Sequence, residues 1–364
     1  MCIQGISVII CCYNSEQRLA QTFERLALQQ VPEDLLWEVI IVDNNSSDDT
    51  ANSAEKEWKK YCLDIPFKIV HEAKPGLSYA RQKGVKEASF ELLLFCDDDN
   101  WLERNYLCLA YEIMSRHPNV GVLGGRSEGC FETEKPDWFK HFEHAYALGK
   151  QMPSTGIANR RRYIAGAGMV VRKEIFDLLE KISFINFLSD RKGDALSSGG
   201  DSELCLIVLF LGYDLYYDER LQFIHFIPAK RLSWGYCVNM IAESHGSPQI
   251  YFDFYKTLYR KVANNEQISF TQAYSKTSLR VMRSTLKNFA GIKNFLRSMR
   301  LMISPQPGSM KEIQLKADFK KLRYLIANKR QLRQEFYKMQ ELMYKVKEEN
   351  ICQHNAFRER FFVD

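Results

Sequence analysis

Long apolar runs are missing from this chain. The longest, Cys205 to Leu211, is too short to cross a bilayer, so no segment reads as a membrane span. Cysteines at zinc-type spacing are missing too. The ten cysteines sit in apolar or irregular contexts, such as Cys11-Cys12 and Cys205, which predicts a reduced, cytoplasmic chain and not a disulfide framework. The start enters Ile6-Ser7-Val8-Ile9-Ile10 without a basic region or cleavage site, so no secretory leader is expected. There is no internal repeat and no recognisable nucleic-acid motif, and nucleic acid is not expected as a partner. Acidic residues are absent between Glu266 and Glu312.

The charge that is present is unevenly spread. Residues 250–364 hold 23 Lys or Arg against 10 Asp or Glu, whereas the whole chain is only +5. An acidic front and a basic end predict two parts with different partners. In the front part, strand-like runs alternate with helical ones. Ile6–Cys12, Trp37–Val42, Phe67–Val70 and Glu91–Cys96 read as strands. Helices are expected over 16–30, 49–61 and 78–88. That order predicts an α/β fold with a mostly parallel, Rossmann-like central sheet. The middle is less regular, with a strand at Met169–Val171, a helix over 202–211 ended by Gly212, and a strand at Leu221–Ile227. Beyond about residue 240 the pattern is helical, ending in one long helix over 311–350.

Phe95-Cys96-Asp97-Asp98-Asp99-Asn100 is the most informative run. Three carboxylates at a strand's C-terminal end repel one another unless something positive sits among them. Ligands of open α/β sheets bind at that end, and hard divalent cations are held there by one or two carboxylates together with substrate phosphates. The plain alternative is an acidic turn before a helix. Tyr13-Asn14 follows the first strand, Asp43 follows the second, and Arg81 lies on the helix after Pro75-Gly76. Asp201 stands in Gly200-Asp201-Ser202-Glu203, where it either acts chemically or caps the next helix.

Together, Ser7–Asn14, Val39–Ser46, Gly76–Gly84, Leu92–Asn100, Gly199–Leu204 and Gly212–Ser233 resemble a family 2 glycosyltransferase with the GT-A fold. The resemblance implies a catalytic domain over 1–240 and a basic helical region over 241–364. It implies that Tyr13, Asn14, Asp43 and Arg81 bind a nucleotide-sugar, expected to be a UDP-sugar. Asp99 matches the metal ligand of a D-x-D motif, for Mg2+ or Mn2+. Asp97 or Asp98 then contacts the ribose or a metal-bound water. Asp201 matches the catalytic base, although Gly200 stands where the family usually has an acid. His225 either approaches the metal and diphosphate or is a core histidine. Arg231 resembles a phosphate contact. Trp138, Gly168 and Trp234 fall on the acceptor side.

The implied reaction is inverting, metal-dependent transfer to a hydroxyl of a glycan or lipid-linked glycan. A sugar-phosphate nucleotidyltransferase would need a Gly-rich, basic loop after the first strand, where this chain has Cys12-Tyr13-Asn14-Ser15. A non-catalytic subunit that binds membrane or partners is the third reading, and the intact acidic positions argue against it. The acid-free stretch 267–311 reads either as a peripheral element at the inner face of the membrane or as helices that pack their apolar stripe on the protein or on a second copy. That stripe includes Leu279, Met282, Leu286, Leu296 and Met299.

Overall fold

The computed structural model describes residues 3–188, 199–290 and 292–348. Residues 1–2 and 349–364, the outer ends of the two expected regions, lie outside the described residues, as does the end of the expected 311–350 helix. Strands β1 (Ile3–Cys12), β2 (Trp37–Asp43), β3 (Phe67–His71) and β4 (Phe90–Asp97) pair in parallel in the order β3-β2-β1-β4. Helices α1 (Leu19–Ala27), α2 (Thr50–Lys59) and α3 (Leu77–Glu87) form the crossovers. Ile6, Val8, Ile9 and Ile10 are all buried, as expected for a strand covered on both faces. Cys12 pairs with Asp43 and Cys11 with Asp97, so three strand ends finish level. That levelling gathers the chemistry-bearing residues along one sheet edge.

The sheet then changes direction. It continues through β5 (Asn100–Leu102), β6 (Val120–Phe131), β7 (Gly156–Ile157), β8 (Met169–Arg172) and β9 (Asp214–Ile227). Helices α4 (Tyr106–Arg116), α5 (Lys173–Lys181) and α6 (Gly200–Phe210) lie between them in the chain. The order extends as β4-β8-β6-β9-β5, with β8 antiparallel to β4 and β5 antiparallel to β9. The pairing of Asn100 with His225 sets the acidic run beside β9.

Several boundaries differ from the sequence reading. Helix α1 is shorter than 16–30, and β9 begins at Asp214, before Leu221. Strand β6 was not expected, because its glycines break the alternation. They are there for close approach: a Cβ on Gly125 would lie 1.9 Å from the Leu221 carbonyl oxygen.

The helical part comprises α7 (Trp234–Ser244), α8 (Ser247–Ala263), α9 (Phe270–Phe289), α10 (Ile292–Ile303), α11 (Met310–Ala327) and α12 (Lys329–Glu348). The expected single helix over 311–350 is two helices, because α11 ends at Asn328. Ser269 and Gln272 form a capping box at the start of α9. Phe254, Phe270 and Phe336 bring α8, α9 and α12 together, with ring centroids 5.3–6.2 Å apart. These residues belong to the same buried cluster as Ile9 and Val171 of the sheet and Cys205 of α6.

Helix α9 does not bury the expected stripe. Its buried face carries Phe270, Ala273, Thr277, Val281 and Thr285, and the small residues let its neighbours approach closely. Leu279, Met282, Leu286, Leu296 and Met299 are exposed instead.

Candidate active site

A cleft of about 760 Å³ opens at the C-terminal ends of β1, β2 and β4. At one end, the loops after β1 and β2 are stitched together. Ser46 Oγ accepts from the Asn14 amide at 3.0 Å, and Asn14 Oδ1 accepts from the Ser47 amide at 2.8 Å. Tyr13 and Asn14 line the cleft here, and Tyr13 is 44% exposed, leaving its ring face open. The Asp43 carboxylate accepts from the Ser46 amide at 3.1 Å and has His71 Nδ1 3.4 Å away. Asn44 and Asn45, beside it, form the wall itself. Asn44 also ties down the next loop, donating to the Lys74 carbonyl at 2.8 Å and accepting from the Gly76 amide at 2.7 Å. The sequence did not single this residue out, because its partners are backbone groups of a loop about 30 positions away.

The three aspartates have different surroundings. Asp98 is held by Arg18, 2.6 Å from its Nη2, and by the Ser15 hydroxyl, while Thr22 donates to its backbone carbonyl at 2.9 Å. The middle carboxylate is therefore bound to the protein. Asp99 accepts from Arg231 Nη1 at 3.1 Å and lies 3.6 Å from His225 Nε2. Asp97 shares its surroundings with Asp99, Arg81 and His225. Burial, and then the charge of Asp99, push both Asp97 and Asp98 above the ordinary carboxylate range. Burial opposes the charge on Arg231, but Asp99 together with Tyr236, Asp98 and Asp97 outweighs it, so the guanidinium holds its proton more firmly than usual.

His225 has a defined tautomer. Its Nδ1 lies 3.0 Å from the Tyr146 carbonyl oxygen, which can only accept, so Nδ1 carries a proton. Nε2 then faces Asp99. Tyr146 also donates its hydroxyl to the Arg231 carbonyl at 2.9 Å. It thus positions two of the expected site residues, and the sequence gave it no distinguishing mark.

Across the cleft, Asp201 sits in the first turn of α6. Its Oδ2 accepts from the Gly166 amide at 2.9 Å and has the Tyr163 hydroxyl 3.5 Å away; its Oδ1 accepts from the Ser202 amide at 2.9 Å. The Gly166 backbone passes between Asp201 and Arg81. A Cβ there would lie 2.9 Å from Arg81 Nη2 and 3.1 Å from Asp201 Oδ2. Arg81 stacks 5.4 Å from the Phe95 ring centroid. Glu203 is buried behind the site, accepting from the Leu188 amide at 3.0 Å and from the Tyr255 hydroxyl at 2.7 Å.

Three expected acceptor-side residues do not line the cleft. Trp138 and Trp234 pack on each other, 5.1 Å apart at 71°, and the Trp234 indole donates to Glu312 at 3.0 Å. An indole pair with a satisfied N–H belongs to the packing. Gly168 has φ +68°, and its carbonyl accepts from the buried Tyr106 hydroxyl at 2.6 Å. The cleft wall on that side is Tyr163, Tyr236, Met240, His245 and Phe252.

Residues 7–179 match the family model described as Glycosyl transferase family 2. The EpsH protein of Bacillus subtilis is 33% identical over 102 residues, covering 28% of each chain. A poly-beta-1,6-N-acetyl-D-glucosamine synthase of Staphylococcus epidermidis is 26% identical over 172 residues, 47% of this chain and 40% of that one. The chain thus spans less than half the length of these curated relatives. Among solved structures, S. aureus TarS 1-349 in complex with UDP-GlcNAc superposes with a TM-score of 0.52 at 16% identity, covering 96% of this chain and 92% of that one. The fold is of the GT-A type, a mixed and mostly parallel sheet with added C-terminal helices. By this match, residues 7–179 belong to glycosyl transferase family 2.

Proposed function

We propose that the chain transfers a sugar from a nucleotide-sugar, a UDP-sugar in our reading, to a hydroxyl of a glycan or lipid-linked glycan, with inversion at the anomeric carbon. One observation carries this reading: Asp201 lines the same cleft as Asp97, Asp99 and Arg231, with Tyr13 and Asn14 at the cleft's end. TarS was solved with UDP-GlcNAc, and a Pyrobaculum calidifontis mannosyltransferase of TM-score 0.50 was solved with GDP-Man and Mn2+. Both complexes support a nucleotide-sugar in this cleft. Residues 1–240 form the catalytic part in this reading, buttressed by the described helices that follow, up to Glu348.

In this reading Tyr13, Asn14 and Asp43 hold the base, and Asp97 the ribose side. Asp97, Asp99 and His225 suit a hard divalent cation: two carboxylates and an imidazole nitrogen turned toward them. Among the described residues, no three such groups form a ready cage. Diphosphate oxygens and water would complete the shell. When bound, Mg2+ or Mn2+ would supply positive charge for the departing diphosphate. Arg231 and Arg81 supply charge of the same sign from the protein. Asp201 takes the acceptor hydroxyl proton. The oxygen bonds to the anomeric carbon as the bond to the diphosphate breaks, and the electron pair leaves with the diphosphate.

The test is incubation with a panel of UDP- and GDP-sugars in Mn2+ or in chelator, followed by anomeric analysis of the product. Donor turnover that needs the cation and gives an inverted anomer is expected. No binding or turnover of any donor, or a retained anomer, overturns the reading.

A further inference from the structure

The outer face of α9 and α10 is apolar, basic and turned away from the core. On α9, Leu279 and Met282 are each 49% exposed and Leu286 is 65% exposed. At 100° per residue these three share one stripe, roughly opposite the buried Phe270, Ala273, Thr277, Val281 and Thr285. Lys276, Arg283 and Lys287 are exposed and fall immediately beside that stripe. On α10, Phe295, Leu296 and Met299 are 49%, 61% and 41% exposed, with exposed Arg297 and Arg300 alongside. The two helices meet through Phe289 and Phe295, whose rings are 6.3 Å apart.

We propose that α9 and α10 form a docking surface for an anionic lipid bilayer. An ordinary soluble helix buries its large apolar side chains and exposes polar ones. Here Ala273, Thr277 and Thr285 join Phe270 and Val281 on the buried face of α9 while Leu279, Met282 and Leu286 are exposed, so these exposed apolar groups serve something outside the chain. The charge selects that partner. No acid occurs between Glu266 and Glu312. Among the described residues, no ion pair is formed by Lys276, Arg283, Lys287, Arg297 or Arg300. Arg280 is different: it is committed to Asp253. A leaflet with anionic headgroups neutralises such cations while its acyl boundary receives the apolar stripe. A second copy of the chain is a poorer fit, because a two-fold contact would set these cations against one another. No described helix is long and apolar enough to cross a membrane, so contact would be with the surface. The surface is separate from the catalytic cleft, and its role does not depend on the transfer reaction.

The test is flotation of the full chain with vesicles of phosphatidylcholine alone and of phosphatidylcholine mixed with phosphatidylglycerol, at low and high salt. Two variants accompany it: L279S/L286S/L296S and R283Q/K287Q/R297Q/R300Q. All seven positions are exposed, so both variants should fold, which circular dichroism and donor binding would verify. The wild type is expected to float with the anionic vesicles and to be released by salt. Each basic residue near such a surface is worth about five-fold in affinity, so the charge variant should lose at least about ten-fold, and the apolar variant should lose binding comparably. Wild-type protein that stays unbound to anionic vesicles overturns the proposal. So does binding that both variants retain. So does a concentration-dependent dimer, lost in the apolar variant while vesicles bind nothing, which would assign the surface to a second copy.

Discussion

Asp201 receives hydrogen bonds from two backbone amides, Gly166 and Ser202. An Asn at this position would keep an accepting oxygen but could not take a proton. Asp201→Asn is therefore expected to leave nucleotide-sugar affinity unchanged while lowering kcat by about 10²–10⁴. Titration calorimetry with donor, beside initial rates, separates the two effects; turnover within a few-fold of wild type would leave Asp201 a helix-ordering residue. Asp97 makes a different case. Burial first, and Asp99 second, raise it above its ordinary 3.8. The folded state then holds a proton that the unfolded chain releases, so the stability of the ligand-free protein should fall as pH rises through the window above 3.8. Asp97→Asn removes that penalty. It should raise Tm at neutral pH and flatten the Tm–pH curve while abolishing donor binding. A Tm that is lower than wild type at neutral pH would contradict this account of burial and repulsion.

At the scale of elements, the loop before β8 governs where two site residues stand. The Gly166 backbone lies between Arg81 on α3 and Asp201 on α6, with no room for a methyl group. Gly166→Ala should displace one or both side chains. A shift of about 1 Å in a reacting group costs up to about 10² in rate, so kcat should drop by about that much with little change in Tm. Unchanged kinetics would mean that the loop yields without moving either residue. The pairing of β5 with β9 has a comparable role, since Asn100 opposite His225 sets the imidazole beside Asp99. Asp98, held by Arg18 and Ser15, anchors the acidic turn to α1's entry. Losing Asp98 would leave Arg18 with only the Tyr13 carbonyl and the Ser15 hydroxyl.

At the scale of the whole molecule, the helices after residue 240 are not an independent bundle beside the sheet. The Tyr255 hydroxyl on α8 donates to buried Glu203 on α6, two residues from Asp201. Tyr255→Phe removes one donor from that buried carboxylate and should cost about 1–3 kcal/mol. Phe336→Ala on α12 should cost about 3–5 kcal/mol, because Phe336 is fully buried in the cluster shared with the sheet. Denaturant unfolding followed by both far-UV circular dichroism and tryptophan fluorescence should give coincident transitions for both variants. Split transitions would show that the helices unfold separately from the sheet.

The order of elements around the cleft was legible in the sequence because it depends on local pattern. Apolar runs of strand length alternate with helical periodicity, and parallel strands ending level put Tyr13, Asp43 and Asp97 on one edge whatever the later helices do. The roles within the acidic triplet were not legible. Three consecutive aspartates look alike until Arg18, 80 positions away, takes Asp98, and until Arg231 and His225 face Asp99. Tyr146 and Gly166 act through a carbonyl and an amide, groups that every residue carries, so their residue types gave no signal. The stripe on α9 and α10 could be read from periodicity, but not whether it was covered. A helix with two usable faces is settled only by which face its neighbours fit, and on α9 they fit the face of Phe270, Ala273, Thr277, Val281 and Thr285.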